Sequence, residues 1–345
     1  MAAAKKKKKS RVGLYISVII IAMLLFGIYK AFGPNTGQFT RGEFLYIHTG
    51  ADYEKVKAAL EEGGFVSDMM TFDFMAKAAG LPQHIHPGKY KVNRFMSNYN
   101  LIRLLHSGKQ TQVNLVINRL RTKQDLITLI STNLEADSSA LKQMLDDPTY
   151  LSQFGLDTNT MMCAIVPNTY FFKWNTTADK AFRKIEENYS HYWDDAHKQM
   201  ARKQGLTPVQ SIIIASIVDE ETNLNEDKPN IASVYINRLQ KGMKLQADPT
   251  VKFAMGDFTI KRIAGQMLLN TSRYNTYLYE GLPPGPICTP AVSSIEAVLQ
   301  APKTDYLYFC AKEDFSGRSN FAATYDAQLK NARAYQQALD ARGIH

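Results

Sequence analysis

Apolar positions along the chain change their period several times. Residues 12–29 form eighteen consecutive positions without a charge, and with Ala31 and Phe32 the run reaches the length needed to span an average bilayer. Beyond a GPNTGQFT stretch at 34–41, which reads as a linker, the pattern becomes globular. Residues 44–47 suggest a strand, and Tyr53, Val56, Ala59 and Leu60 recur at helical spacing until Gly63 and Gly64 stop them. The same reasoning predicts a helix over 69–79, a strand over 89–92 after Pro87-Gly88, a short helix over 100–107 and a strand over 112–117.

From 119 to 205 the periodicity is mainly helical. Thr122 or Lys123 opens one helix, carrying Leu126, Ile127, Leu129 and Ile130, and Asp137 or Ser138 caps another. Residues 167–172, followed by Trp174, form an aromatic, turn-like patch able to stack on sugar rings, although a core role is the commoner use of such rings. Residues 178–198 read as one long amphipathic helix. Thr207-Pro208 supplies a cap and a first-turn proline for the next helix. Ile231, Val234, Tyr235 and Leu239, after Pro229, mark another that Gly242 ends. A strand over 305–309 follows, and 320–324 lead into a polar C-terminal helix.

These elements predict an α+β chain with a basic tail (1–11), a transmembrane helix (12–32), a linker (33–42), a small α+β domain (43–117) and a larger, mainly helical α+β domain (118–345). A chain of 345 residues with 45% hydrophobic content can bury such cores. The strand-helix-helix-strand order of the small domain resembles the LysM module, which binds cell-wall glycan. A packing or spacer role fits the same elements, because fold does not fix function.

Charge changes the picture only at the N-terminus. Of the formal +9, Lys5–Lys9 and Arg11 supply six, so the rest of the chain is close to neutral and a nucleic-acid partner is not expected. Lysines placed before the apolar run orient the N-terminus to the cytoplasm and the body of the chain outside it. Three cysteines, Cys163, Cys288 and Cys310, do not make a disulfide framework, and the scattered histidines, including the His84/His86 pair, offer no metal-ligand spacing. No metal and no cofactor are expected.

The candidate chemistry sits in SIVDEET, residues 216–222, where an apolar run feeds into Asp219, Glu220 and Glu221. At 100° per residue Glu221 has Val218, Ile217 and Ile214 behind it, whereas Asp219 and Glu220 have Ser216 nearby. Apolar surroundings and a helix C-terminus both raise a carboxyl pKa, which marks Glu221 as the residue fit to act as a general acid. A solvated helix end fits this stretch equally well, and the stretch alone does not choose.

SIVDEET, then ASVYINRLQKGMKLQADPTV at 232–251, YNTY at 274–277 and GLPPGPICTP at 281–290, resemble in order the YceG-like family of membrane-bound endolytic murein transglycosylases. The resemblance covers roughly residues 12–340 and implies a peptidoglycan substrate, with peptidoglycan synthases as candidate partners. It implies cleavage of the MurNAc–GlcNAc β-1,4 bond in nascent strands, leaving 1,6-anhydro-MurNAc ends and terminating elongation. It places the enzyme at the inner (cytoplasmic) membrane as a single-pass protein with its catalytic domain outside the cytoplasm. The catalytic acid carried over is Glu221. Gln246, Asp248, Tyr274, Asn275 and Tyr277 are expected to contact substrate or orient Glu221, with a plain turn-capping role as the alternative for Asp248. The proline-rich 281–287 segment is expected as a rigid loop at the cleft edge.

Two departures stand out. The family's Phe-Pro-Asp-Thr-Tyr is Val166-Pro-Asn-Thr-Tyr170 here, so an acid is replaced by Asn168. Its Pro-Glu-Gly is replaced by Asn118-Arg119-Leu120-Arg121. Two other functions fit the pattern: a muramidase that hydrolyses with water, using Asp219 or Glu220 beside Glu221, and a non-catalytic wall-binding scaffold. Adjacent helical residues point about 100° apart, which is poor geometry for two acids flanking one bond.

Overall fold

A computed structural model describes residues 11–343 other than 38, 40, 41 and 261. The expected basic tail lies outside the described residues apart from Arg11. The chain is mixed α+β and divides into two compact units, Met1–Val113 with Phe171–Thr176, and Asn114–Tyr170 with Thr177–His345.

In the first unit α1 (Arg11–Phe32) contains the apolar stretch Val12–Phe32, long and apolar enough to cross a membrane and unburied within the protein. It is followed by β1 (Phe44–Ile47), α2 (Tyr53–Glu62), α3 (Met69–Ala78), β2 (Gly88–Lys91) and α4 (Asn98–Ser107). The two strands pair antiparallel, Leu45 opposite Tyr90, in the expected strand-helix-helix-strand order. Leu45, Leu60, Phe72, Tyr90, Leu101 and Leu105 fill the core. The helices start where caps dictate: Asp52, Asp68 and Ser97 each accept a bond from a backbone N–H three residues on. The stretch expected as a linker is partly built into the fold. Pro34 bridges to Ser97 and Thr36 to Val66, and the buried Asn35 bonds to Asn98 and the backbone of Asp68.

The second unit begins in β3 (Val113–Ile117), then runs through α5 (Lys123–Asn133), α6 (Ser138–Asp146), α7 (Pro148–Ser152) and the first three residues of β4 (Asn168–Phe172). It continues with α8 (Ala178–Tyr192), α9 (Asp195–Lys203), α10 (Pro208–Glu221), α11 (Lys228–Gln240), α12 (Asp248–Met255), α13 (Val292–Leu299), β5 (Tyr308–Ala311), β6 (Ser319–Ala322) and α14 (Tyr325–Ala341). Thr122 and Asp125 form a capping box on α5, and Thr207 and Gln210 another on α10.

Three local expectations are corrected. The patch at 167–172 is a strand whose Tyr170 and Phe172 alternate inward, so two of its rings are core and do not form an exposed sugar platform. The long helix over 178–198 is two helices, because buried Trp193 ends α8 and the Asp194 carboxylate accepts from His197 N to start α9. The strand expected over 305–309 is Tyr308–Ala311, and Ser319–Ala322 pairs with it as an antiparallel hairpin, Phe309 opposite Phe321, before α14. The three cysteines are free thiols.

α10 organises this unit. Ser211 through Asp219 are all buried, so the helix has no polar face, and α13 and α11 pack along it. At roughly 1.5–3 kcal/mol for each fully buried aliphatic side chain, Ile212, Ile213, Ile214, Ile217 and Val218 tie its position to the core. Its C-terminal end carries the acids.

Candidate active site

The three acids at the end of α10 have separate fates. Asp219 is buried and meets Lys228 Nζ at 3.2 Å and Arg119 Nη2 at 2.8 Å, and its Oδ1 also accepts from the Ser294 hydroxyl. Burial alone would raise its pKa, but the Ser294 bond and the charges of Arg119 and Lys228 hold it below the ordinary aspartate value. Glu220 turns toward Arg121, 3.1 Å away, and Arg119, 3.6 Å away. The arginines in the departing Asn118–Arg121 stretch therefore hold both flanking carboxylates.

Glu221 forms no such pair among the described residues. It faces a cavity of about 330 Å³ lined by Tyr235, Arg238, Leu245, Gln246, Asp248, Tyr277, Tyr308, Phe309 and Gln328. Desolvation by burial raises its pKa from an ordinary 4.5 to about 7, with Asp248 pushing the same way and the Tyr235 hydrogen bond and Lys252 opposing. Tyr235 Oη donates to Glu221 Oε1 at 2.6 Å. Burial and the neighbouring carboxyl push this phenol well above its ordinary value, so it remains a donor. The apolar environment differs from the expected one: Ile214, Ile217 and Val218 are core residues, and the walls around the acid are aromatic rings from α11, the 274–279 segment and β5.

Of the residues singled out in the sequence, Gln246, Asp248 and Tyr277 share this cavity with Glu221. Asp248 opens α12 and accepts from Tyr277 Oη at 2.6 Å. Gln246 sits at φ +52, a left-handed conformation costly for a residue with a side chain. Its N–H bonds to Thr276 O and its Oε1 accepts from Arg238.

Asn275 and Tyr274 stand elsewhere. Asn275 is fully buried, donates to the carbonyls of Leu268 and Asn270, and accepts from Tyr277 N, so it shapes the segment that presents Tyr277. Tyr274 packs on Phe253 with ring centres 4.6 Å apart and is not part of the cavity lining.

Sequence reasoning missed several members. Arg238 is buried and donates to the carbonyls of Leu245 and Leu307 while lying under the Tyr308 ring, so it ties the 245–248 turn to β5. Gln328, on α14, donates to Phe309 O. Thr276 bonds to Ala247 N and Thr250 Oγ1, fastening YNTY to the start of α12. An arginine at helical spacing from Val234 and Tyr235, and so on the apolar face, was the available signal for Arg238; Gln328 lies in a polar helix that offers none. The 281–290 loop is held by Ser216, whose Oγ accepts from Ile287 N at 3.0 Å. Asn168, at the acid-to-amide departure, is exposed and meets Asn188.

Fold and cleft together define an enzyme domain in a chain that begins with an apolar helix of membrane-spanning length. Residues 45–334 match the model of the YceG-like family, and the chain belongs to that family. A Bacillus subtilis (strain 168) protein named endolytic murein transglycosylase is 28% identical over 306 residues, covering 84% of each chain. One of the same name from Streptococcus pneumoniae serotype 2 is 26% identical over 300 residues; the match covers 77% of this chain and 53% of that relative. The crystal structure of a YceG-like protein from Listeria monocytogenes aligns with a TM-score of 0.55 and 26% identity, covering 83% of this chain and 97% of that one.

Proposed function

We propose that this chain is a membrane-anchored endolytic murein transglycosylase in which Glu221 acts alone, first as acid and then as base. The observation that carries the reading is the isolation of Glu221: its two neighbours are committed to Arg119, Arg121 and Lys228, while it keeps a proton near neutrality in an aromatic cavity. Protonated Glu221 gives its proton to the glycosidic oxygen, the C1–O bond breaks, and positive charge develops at C1 of the muramoyl sugar. The C6 hydroxyl of that sugar then bonds to C1, and its proton passes to the Glu221 carboxylate. The products are a 1,6-anhydro end and a free hydroxyl on the leaving sugar, with Glu221 again protonated and no water consumed.

Tyr235 fixes the carboxyl by its 2.6 Å bond. Tyr277, Gln246 and Asp248 are placed to hold hydroxyl and acetamido groups, and the rings of Tyr308 and Phe309 to pack on sugar C–H faces. The α1 helix anchors the chain in the cytoplasmic membrane, with the body outside the cytoplasm, where nascent strands and their synthases lie. Mass spectrometry of isolated peptidoglycan digested by the protein tests this. Anhydro ends made by the wild type and lost in Glu221→Gln support the proposal; reducing ends would establish hydrolysis, and undiminished cleavage by the variant would remove Glu221 from the chemistry.

A further inference from the structure

The smaller unit carries large apolar side chains where a soluble domain would be polar. Met70 is 84% exposed, Phe95 77%, Phe74 74% and Tyr99 46%. All four lie close in sequence to the points at which the unit grips the end of α1. Asp68, which caps α3, pairs with Lys30 at 2.5 Å, and Asn98, at the start of α4, donates to Lys30 O. The Tyr99 ring lies 5.3 Å from that of Phe32, the last residue of α1. Phe95 N bonds to Thr36 O, and Asn35 N to Met96 O. The segment leaving α1 thus runs between the residues that precede α3 and those that precede α4. Met70 and Phe74 are one helical turn apart on the same face of α3.

Phe95 adds a second observation. It holds φ +61, where a bulky side chain is rarely found, and yet points into solvent. Core packing does not account for that conformation. An open cleft of about 340 Å³ begins at Tyr99 and continues past Met75, Ile102, Arg103 and His106 between α3 and α4.

Charge supplies a third. Residues 74–113 contain six Lys or Arg and no Asp or Glu. Lys77 and Lys91 pair with Asp73 and Glu43, whereas Arg103 and Lys109 have no carboxylate partner among the described residues. Apolar side chains interspersed with uncompensated cations fit the boundary between acyl chains and anionic headgroups.

We propose that this unit docks on the bilayer that its own anchor crosses: Met70, Phe74, Phe95 and Tyr99 enter the headgroup region, and Arg103 and Lys109 face anionic phospholipid. The inference rests on α1 as a membrane span. Because Lys30, Phe32 and Asn35 are bonded into the unit, no slack tether separates the two, and a lipid surface is the partner that α1 brings within reach. The docked unit would hold the start of the extracellular body at a set height above the membrane.

The test uses the full chain reconstituted into vesicles of phosphatidylglycerol and phosphatidylcholine, some of the latter brominated on the acyl chains. Met70→Trp and Phe95→Trp are compared with the wild type, whose Trp174 and Trp193 give the background. Flotation with the vesicles first establishes that the anchor is inserted; a chain that fails to float overturns the span and the docking together. In floated samples each added tryptophan should be quenched at least about twofold more than the background, as expected for insertion to the acyl boundary. That excess should shrink in Arg103→Glu/Lys109→Glu and in vesicles lacking phosphatidylglycerol. Added tryptophans that float but stay unquenched overturn the docking and leave the anchor standing. If they are unquenched by lipid and respond to purified glycan strands, the surface is a polysaccharide site and the proposal is wrong. Equal quenching in neutral vesicles and in the charge-reversed variant overturns the role given to Arg103 and Lys109.

Discussion

Tyr235 donates its phenolic hydrogen to Glu221 Oε1 at 2.6 Å, across the turn that joins α10 to α11. The bond favours the ionised carboxylate and so opposes the upward pull of burial on its pKa. Removing it has a definite sign. In Tyr235→Phe the Glu221 pKa rises further, and the alkaline fall in activity moves to higher pH. The maximal rate drops about tenfold because the carboxyl loses its orienting partner. A pH–rate profile on purified glycan checks both effects.

Asp248 acts in the opposite direction. Its negative charge helps to keep the proton on Glu221, so Asp248→Asn lowers that pKa and moves the alkaline limb to lower pH. Tyr277 keeps an acceptor in the amide oxygen, which limits structural damage. A limb that moves upward instead would show that Asp248 does not act on Glu221 through its charge.

Glu221 also carries a stability cost. Near pH 4 and below, the folded and unfolded chains both hold its proton and the group contributes nothing. Between an ordinary 4.5 and the native value of about 7 the unfolded chain ionises while the folded chain stays protonated, so stability falls as pH rises through this window. Glu221→Gln should therefore be more stable than the wild type by roughly 1–3 kcal/mol at pH 8, with little difference at pH 4. Paired denaturant titrations at the two pH values measure this.

The Asp219–Lys228 pair is the counterpart that must not be broken. Both side chains are buried, 1% and 6% exposed, so Lys228→Met leaves the carboxylate with Arg119 and Ser294 alone. The expected loss is about 3 kcal/mol, read as a lower unfolding midpoint at unchanged slope. Asp219 has a depressed native pKa, so its contribution is present at neutral pH and fades as pH falls through that native value. The deficit of the variant should therefore narrow in acid.

Much of this arrangement is legible in the sequence because it is local. Caps such as Thr122, Asp137 and Thr207 announce helix starts, and an apolar run that ends in acids singles out Glu221. Gln246, Asp248 and Tyr277 were within reach through the LQADPT and YNTY motifs that carry the family resemblance. What escaped is set by contacts between distant segments. Tyr308 and Gln328 reach the cavity only because β5 packs on α11 and α14 packs on the β5–β6 hairpin, and each reads locally as ordinary strand or helix. Asn275 was legible as important but not as buried, since only the fold reveals that its amide is spent on Leu268 and Asn270. The break at Trp193 was hidden because α8 and α9 continue one amphipathic pattern across it.

α10 is enclosed on all sides from Ser211 to Asp219. A helix so enclosed exposes its backbone only when the surrounding unit opens as a whole, so its amides belong to the slowest-exchanging class. Glu221 is thus mounted on an element that its unit encloses, while the β5–β6 hairpin that faces it is largely half-buried. Any adjustment to a passing glycan falls to that hairpin, and the acid is the fixed point against which it moves.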